Sequence, residues 1–398
     1  RRIALDADAR QPVFLDAFAD SPEQLQISPA MLDAHRALVR QADALFGHRP
    51  WRRYDFLLAL SDEFGGIGLE HQRSSENGVG TDYCTGWNEQ AGFTDLLPHE
   101  FVHSWNGKYR RGADLWTPNF NVPMQDSLLW VYEGQTQYWG NVLAARSGMR
   151  PLPASIDALA LVAATYAENR AGLQWRGIQD TTNDPIVVGR AARAYLNYQM
   201  SEDYYRGGQM IWLEADALIR AGSNGKRSLD DFAKAFFGVN DGEWKVQNTY
   251  TFEDVVATLQ GVQAHDWTTF LRDRLDSRVG LTGGIEASGW KLVYKDEPNA
   301  YAKGAGSRGA ADFTYSIGLT IGKDGSIGDV RWDGPAFNAG IGSGTQVIAV
   351  NGTAYDGDVL EEAIKAAKTG KAPIELLVKE FDRYRTVKID YHGGLRYP

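Results

Sequence analysis

Pro98-His99-Glu100-Phe101-Val102-His103-Ser104-Trp105 is the stretch on which the reading of this chain turns. Its two histidines are four apart. On a helix, residues at that spacing stand one above the other on the same face, so His99 and His103 can both point at one metal ion. Glu100 lies about 100° round from His99, where it can reach a water on that metal without binding the metal itself. Zinc suits this set, because a catalytic zinc takes imidazole nitrogens and a carboxylate and keeps one position for water. The zinc lowers the pKa of that water, and a glutamate can remove its proton. The plain alternative is a half-buried helix with two hydrogen-bonded histidines. The flanks favour the metal. Thr94-Asp95-Leu96-Leu97 offers an N-cap, Pro98 fits only an early helical turn, and Asn106-Gly107 stops the helix. Downstream, Trp130 to Trp139 reads as a second helix with a carboxylate, Glu133, near its start, and this supplies a candidate third ligand.

The composition sets the frame. A chain of 398 residues is too long for one simple core, so two or three domains are expected. It is 43% hydrophobic and 23% charged, which is ordinary for a globular protein. A net charge of −10 without Lys/Arg clusters argues against nucleic acid and anionic membranes as partners. No apolar run approaches the roughly 18 residues of a membrane span. Cys84 stands alone, so no disulfide forms within the chain. The chain opens on Arg1-Arg2 and not on Met, and an upstream piece is therefore expected.

Working outward, residues 1–20 alternate apolar and polar around Val13, Leu15 and Phe18 and read as the tail of something larger. Residues 29–46 carry Met31, Leu32, Ala34, Leu38, Val39, Ala42 and Leu45 at helical spacing. His35 on that helix reads as a surface or packing residue. Tyr54–Leu60 is a strand. After a turn, Gly65-Gly66-Ile67-Gly68-Leu69-Glu70-His71 sets three glycines beside a short strand, which suggests close approach by another backbone. An extended peptide can pair with such an edge. Glu70 would then sit at one end of the bound peptide, able to hold a free α-amino group. A glycine-rich turn with a solvated Glu is the equal alternative. Lys108, Arg110 and Arg111 read as a solvated basic patch, with contact to a substrate carboxylate as the alternative. Segments near 153–168, 203–221, 228–238, 251–260 and 265–276 are helical, with capping-box starts at Ser228-x-x-Asp231 and Thr251-x-x-Asp254. Residues 169–200, with Gly172, Gly177, Asn183-Asp184-Pro185 and Gly189, read as loop with short helix. Helix periodicity largely stops near residue 278.

Taken in order, Gly68-Leu69-Glu70-His71, His99-Glu100-x-x-His103-Ser104-Trp105-Asn106-Gly107-Lys108, Trp130-x-x-Glu133-Gly134-x-Thr136-x-Tyr138 and Tyr204-Tyr205-x-x-Gly208 resemble the glycyl aminopeptidase family of gluzincin zinc metallopeptidases. The resemblance runs from about residue 40 to the C-terminus. It implies one zinc per chain held by His99, His103 and Glu133, with Glu100 as the base. It places Glu70, with Gly68, at the amine-binding element, and a tyrosine three residues before Gly208, which is Tyr205, as an oxyanion donor. The family's usual Lys before that glycine is Gly207 here, and Tyr204 stays a competitor. Gly334-Pro335-Ala336-Phe337-Asn338-Ala339-Gly340-Ile341 and Gly344 to Asn351-Gly352 resemble a PDZ domain, with a tight Asn-Gly turn and a helix at 358–368.

The fold expected is α+β: a thermolysin-like catalytic domain over 21–277 (a small α/β lobe to about 139, a helical lobe over 140–277), then a PDZ-like β domain over 278–398. Residues 1–20 are expected to be the tail of an N-terminal β domain, present in the whole protein as a bound fragment or a separate segment. The function expected is a zinc aminopeptidase acting on peptides with a free N-terminus and preferring small residues such as Gly or Ala. A zinc endopeptidase on the same site, or a PDZ-bearing binding protein with an inert metal site, are the alternatives.

Overall fold

The computed structural model describes residues 1–87, 94–183, 194–245, 247–276, 278, 280–305 and 310–398. Asp184-Pro185 and Gly189, part of the loop expected there, lie outside the described residues. The chain forms two compact units. The first comprises residues 1–156, the described part of 176–185, and 202–290; the second comprises 157–175, the described part of 186–201, and 291–398.

The first unit begins with a five-stranded sheet of β1 (Arg2–Ala4), β2 (Val13–Ala19), β3 (Tyr54–Leu60), β4 (Gly68–Glu70) and β5 (Ser74–Val79), in the order β1-β2-β3-β5-β4. β2–β3 and β3–β5 run parallel, while β1 and β4 pair antiparallel at the two edges. Residues 1–20, expected as the tail of a separate domain, are therefore two strands of this sheet. The reason is register: Val13 to Ala19 pairs residue for residue with Tyr54 to Leu60, and Val13, Leu15 and Ala17 are fully buried.

Alternation along β3 puts Tyr54, Phe56, Leu58 and Leu60 on the buried face. Tyr54 and Phe56 meet Phe101 with ring centroids 4.8 and 5.0 Å apart. Phe101 lies on α2 (Leu96–Val102), so the sheet seats the helix that carries the two histidines. α1 (Pro29–Phe46), capped by Ser28 and ended by left-handed Gly47, buries the apolar stripe read from the sequence, and Phe46 stacks on Trp105 at 4.3 Å. His35 is fully buried there, so it is a packing residue.

Next come β6 (Arg111–Gly112), α3 (Leu129–Tyr132), α4 (Gly134–Ser147) and α5 (Leu152–Glu168), the last belonging to the second unit from residue 157 on. α6 (Arg206–Gly222), α7 (Leu229–Phe237), β7 (Thr249–Tyr250), α8 (Phe252–Val262) and α9 (Trp267–Asp276) follow. Both expected capping boxes form at Ser228 and Thr251. β6 and β7 make a short parallel pair.

The second unit holds β8 (Ala311–Phe313), β9 (Leu319–Ile321) and β10 (Ile327–Val330) in one sheet. β11 (Gln346–Val350), β12 (Thr353–Ala354), β13 (Ile374–Glu380) and β14 (Arg383–Ile389) form another, and α10 (Gly357–Ala367) lies between β12 and β13 in sequence. Asn351 and Gly352 both take positive φ (47° and 81°), as a two-residue hairpin turn of the primed type requires. The core gathers Ile317, Leu319, Val347, Leu360, Ile364 and Leu376 among others. Asn197 joins it from earlier in the chain: its amide donates to the Val330 carbonyl at 2.9 Å and accepts from Trp332 N–H at 2.9 Å. A contiguous division at 277/278 does not describe this packing, because residues 157–175 and 194–201 group with the C-terminal strands.

Candidate active site

α2 is short. Its last residue is Val102, and His103 follows with helical φ/ψ of −59° and −20°, so the four-residue spacing is preserved through both histidines. The stop comes earlier than Asn106-Gly107. Those residues instead shape a tight turn, in which Gly107 takes φ +117° and Lys108, Tyr109 and Arg110 donate back to the carbonyls of His103, Ser104 and Trp105. The helix is anchored at its start by Arg150, whose side chain is fully buried. Arg150 pairs with Asp95 at 2.7 Å and reaches Asn141 on α4 at 2.6 Å.

Glu133 stands at the junction of α3 and α4, still inside the helical hydrogen-bond ladder. Two glycines on α4 let it reach the histidines. A Cβ on Gly140 would lie 3.1 Å from His99 Cα, so α4 packs on α2 with almost nothing between the backbones. A Cβ on Gly134 would lie 2.7 Å from Gly208 Cα, which brings the start of α6 in from the other side. The Glu-Gly and Tyr-x-x-Gly patterns are thus two halves of one helix crossing.

The three ligand atoms converge. His99 Nε2 and His103 Nε2 are 3.1 Å apart, and Glu133 Oε2 lies 3.4 and 3.3 Å from them. Tetrahedral zinc with bonds of about 2.0–2.1 Å sets its ligand atoms roughly 3.3 Å apart. The triangle therefore has the size of one face of that tetrahedron. Glu133 Oε2 is buried and faces the two imidazole nitrogens without a well-formed hydrogen bond, which is what a ligand atom held for a cation looks like. His103 Nδ1 lies 3.0 Å from the Asn106 carbonyl, which fixes the tautomer that leaves Nε2 free to bind metal. Asn106 also sends its amide to the carbonyls of Val131 and Tyr132 at 2.8 and 3.2 Å, tying the end of α2 to the helix turn before Glu133. The residues present fit zinc.

Glu100 is 5% exposed. Burial pushes its carboxyl above the usual range, and the neighbouring Glu70 and Glu133 add to this while the two imidazoles oppose it. Its Oε1 fills the space beside Gly68: a Cβ there would come within 2.2 Å of it. Gly68, expected in substrate binding, is thus the residue that makes room for Glu100, and the close approach is by a side chain and not by another backbone. The expected backbone approach occurs at Gly78, whose Cβ would meet Gly65 Cα at 2.9 Å.

Glu70 ends β4, an edge strand of the sheet. Its Oε1 accepts from the Tyr132 hydroxyl at 2.7 Å and pairs with Lys108 at 3.3 Å, so it is no solvated turn residue. Burial pushes its carboxyl up, but His103, Lys108 and Tyr132 outweigh this and leave it low, hence charged. The solvated basic patch is absent. Arg110 is packed over the Phe236 ring and donates to the Phe236 carbonyl, while Arg111 donates to the Gly107 carbonyl. Tyr205 sits at the N-cap of α6 with its ring 6.0 Å from that of His99 and nearly parallel to it. Burial and Glu133 hold its phenol well above the usual range, so it stays a donor. Tyr204 is 2% exposed, with its ring 5.0 Å from that of Tyr205.

Two histidines and a glutamate from the next helix, on a helix seated against a mixed sheet, define the gluzincin class of metallopeptidase centres. Residues 92–211 match the family model described as M61 glycyl aminopeptidase. The matched segment carries the metal-ligand cluster, in line with the resemblance read from its motifs. Among solved structures, an aminopeptidase N family protein from Idiomarina loihiensis is similar in fold, with TM-score 0.69 and 19% identity. The alignment covers 96% of this chain and 65% of that one, so the chain spans about two thirds of that relative's length. An M1 zinc metallopeptidase from Deinococcus radiodurans, bound to Tyr-Ser-Ala, aligns with TM-score 0.43 and 15% identity over 70% of this chain and 52% of that one. No curated protein matches by sequence.

Arg150, Asn106, Gly140 and Tyr132 carry weight that the sequence reading did not give them. Asn106 had a signal, since it lies in the motif run. Arg150 and Gly140 had none.

Proposed function

We propose that the chain is a zinc aminopeptidase that removes the first residue of peptides, with one zinc per chain held by His99, His103 and Glu133. The observation that carries the reading is the triangle of ligand atoms, 3.1–3.4 Å on its edges, with a charged carboxylate, Glu70, on the adjacent edge strand. Bound zinc would supply a Lewis acid that acidifies water and polarises the scissile carbonyl. Glu100, buried and not among the ligands, takes the proton from the attacking water and passes it to the leaving amine. Tyr205 donates to the oxyanion as charge develops there. The free edge of β4 accepts the substrate backbone as an added strand, and Glu70 holds its α-ammonium. A preference for small first residues such as Gly or Ala accords with the family match. The second unit is read as PDZ-like, on its Asn351-Gly352 hairpin and the helix after it.

The test compares hydrolysis of a glycyl anilide with that of its N-acetyl form, alongside zinc content. Cleavage of the free amine alone, with one zinc per chain, is expected. Equal cleavage of both would favour an endopeptidase, and bound zinc with no turnover would favour an inert site.

A further inference from the structure

We infer that Tyr132 and Lys108 are positioning residues that fix Glu70 for amine recognition, and so set the site's preference for a free α-ammonium. The inference rests on the proposed role of Glu70. Both groups act on the same oxygen, Oε1: the Tyr132 hydroxyl donates to it at 2.7 Å, and Lys108 Nζ forms an ion pair with it at 3.3 Å. A carboxylate offers about four lone-pair sites over two oxygens, so two donors on Oε1 leave Oε2 for a third. They also fix the rotamer of a side chain that ends a three-residue edge strand, which has a paired strand on one side only.

The two donors come from one tight piece of structure. Tyr132 immediately precedes the ligand Glu133, and its ring lies 4.9 Å from the ring of His103. The same ring occupies the space beside Gly107, where a Cβ would meet it at 2.4 Å, and Lys108 is the next residue. The position of the Glu70 carboxylate is thereby referenced to the metal ligands through one residue on each side. A substrate's first residue must bridge a fixed distance between ammonium and scissile carbonyl, so holding both ends on the same scaffold is what amine selectivity needs. Lys108 is not a competitor for the substrate's place on this account, because it shares Oε1 with Tyr132.

The test uses zinc-loaded Glu100→Gln protein as host, so that binding is read without turnover. The probes are triglycine and N-acetyl-triglycine, with Kd measured by calorimetry. Tyr132→Phe and Lys108→Met are each expected to weaken triglycine about tenfold, the former by losing a hydrogen bond to a charged group and the latter by losing a part-buried ion pair. Zinc content and N-acetyl-triglycine binding should not change, and Lys108→Arg should restore most of the loss. In a Glu70→Ala host the two substitutions should have no further effect. Unchanged or tighter triglycine binding in Lys108→Met would overturn the inference, as would equal losses for both probes or a loss of zinc in Tyr132→Phe. A Glu70→Ala host that still prefers triglycine would overturn the role given to Glu70, and with it this inference. A Glu100→Gln host that binds zinc but no triglycine would overturn the proposed function as well.

Discussion

The metal end of the site and the amine end are built in different ways. His99, His103 and Glu133 are placed by backbone meeting backbone: Gly140 against His99 Cα, and Gly134 against Gly208. Glu70 is placed by two side chains reaching to one oxygen on an edge strand. A close helix crossing has few alternative arrangements, because interiors are packed to crystal-like density. Side-chain donors can be removed one at a time. Changes at the metal end should therefore reach zinc binding and stability together, whereas changes at the amine end should be confined to substrate binding.

The largest effect should follow from the ligands and the base. His103→Ala and Glu133→Ala should lose zinc and activity together, measured by metal content and turnover. Glu100→Gln should keep zinc and lose nearly all turnover. Loss of zinc in Glu100→Gln would mean that the ligand set is wrong.

Gly208→Ala comes next. Its Cβ would sit 2.7 Å from Gly134 Cα, with backbone that cannot step aside. The expected outcome is reduced zinc affinity together with a lower melting temperature, and an unchanged variant would break the argument that this crossing places Glu133. Gly68→Ala instead forces Glu100 to turn, since the near atom is a side-chain oxygen. It should retain zinc while kcat falls about 10²-fold, the scale of a misplaced catalytic group.

Tyr205→Phe should lower kcat by about 10²–10³ with little change in KM, because its hydrogen bond forms only as the oxyanion develops. If Tyr204→Phe shows that loss instead, the donor is one residue earlier.

The smallest effect lies away from the site. Burial lowers the pKa of His35 to about 4, so it is neutral in the fold, against about 6.5 in an unfolded chain. The stability this gives is present above about 6.5 and is lost as pH falls toward 4. His35→Gln should flatten the fall in melting temperature between pH 7 and pH 5. An unchanged slope would remove His35 from the account of acid sensitivity.

Much of this was legible in the sequence for a physical reason. Helical spacing alone sets His99 over His103 and leaves Glu100 beside them, and a helix near Glu133 was visible from its apolar pattern. The capping boxes at Ser228 and Thr251 and the Asn351-Gly352 hairpin depend on local chemistry, and local chemistry is written in consecutive residues. What stayed hidden depends on residues far apart in the chain. Nothing near Arg150 says that it anchors Asp95, and nothing near Gly68 says that Glu100 fills its missing side chain. The strands at 2–4 and 13–19 looked like the end of another domain because a strand's partner, here β3, is set by register and not by its own residues. The grouping of 194–201 with the C-terminal strands goes with the hydrogen bonds of Asn197 and the stacking of Tyr198 on Trp332, which no periodicity reveals.

The most direct measurement is zinc content with turnover, on glycyl anilide and its N-acetyl form, for the parent chain and Glu100→Gln side by side. The account predicts one zinc per chain in both proteins, cleavage of the free-amine substrate by the parent alone, and no cleavage of the acetylated one. Zinc in both proteins with equal turnover, or a parent chain that binds no zinc, would contradict it.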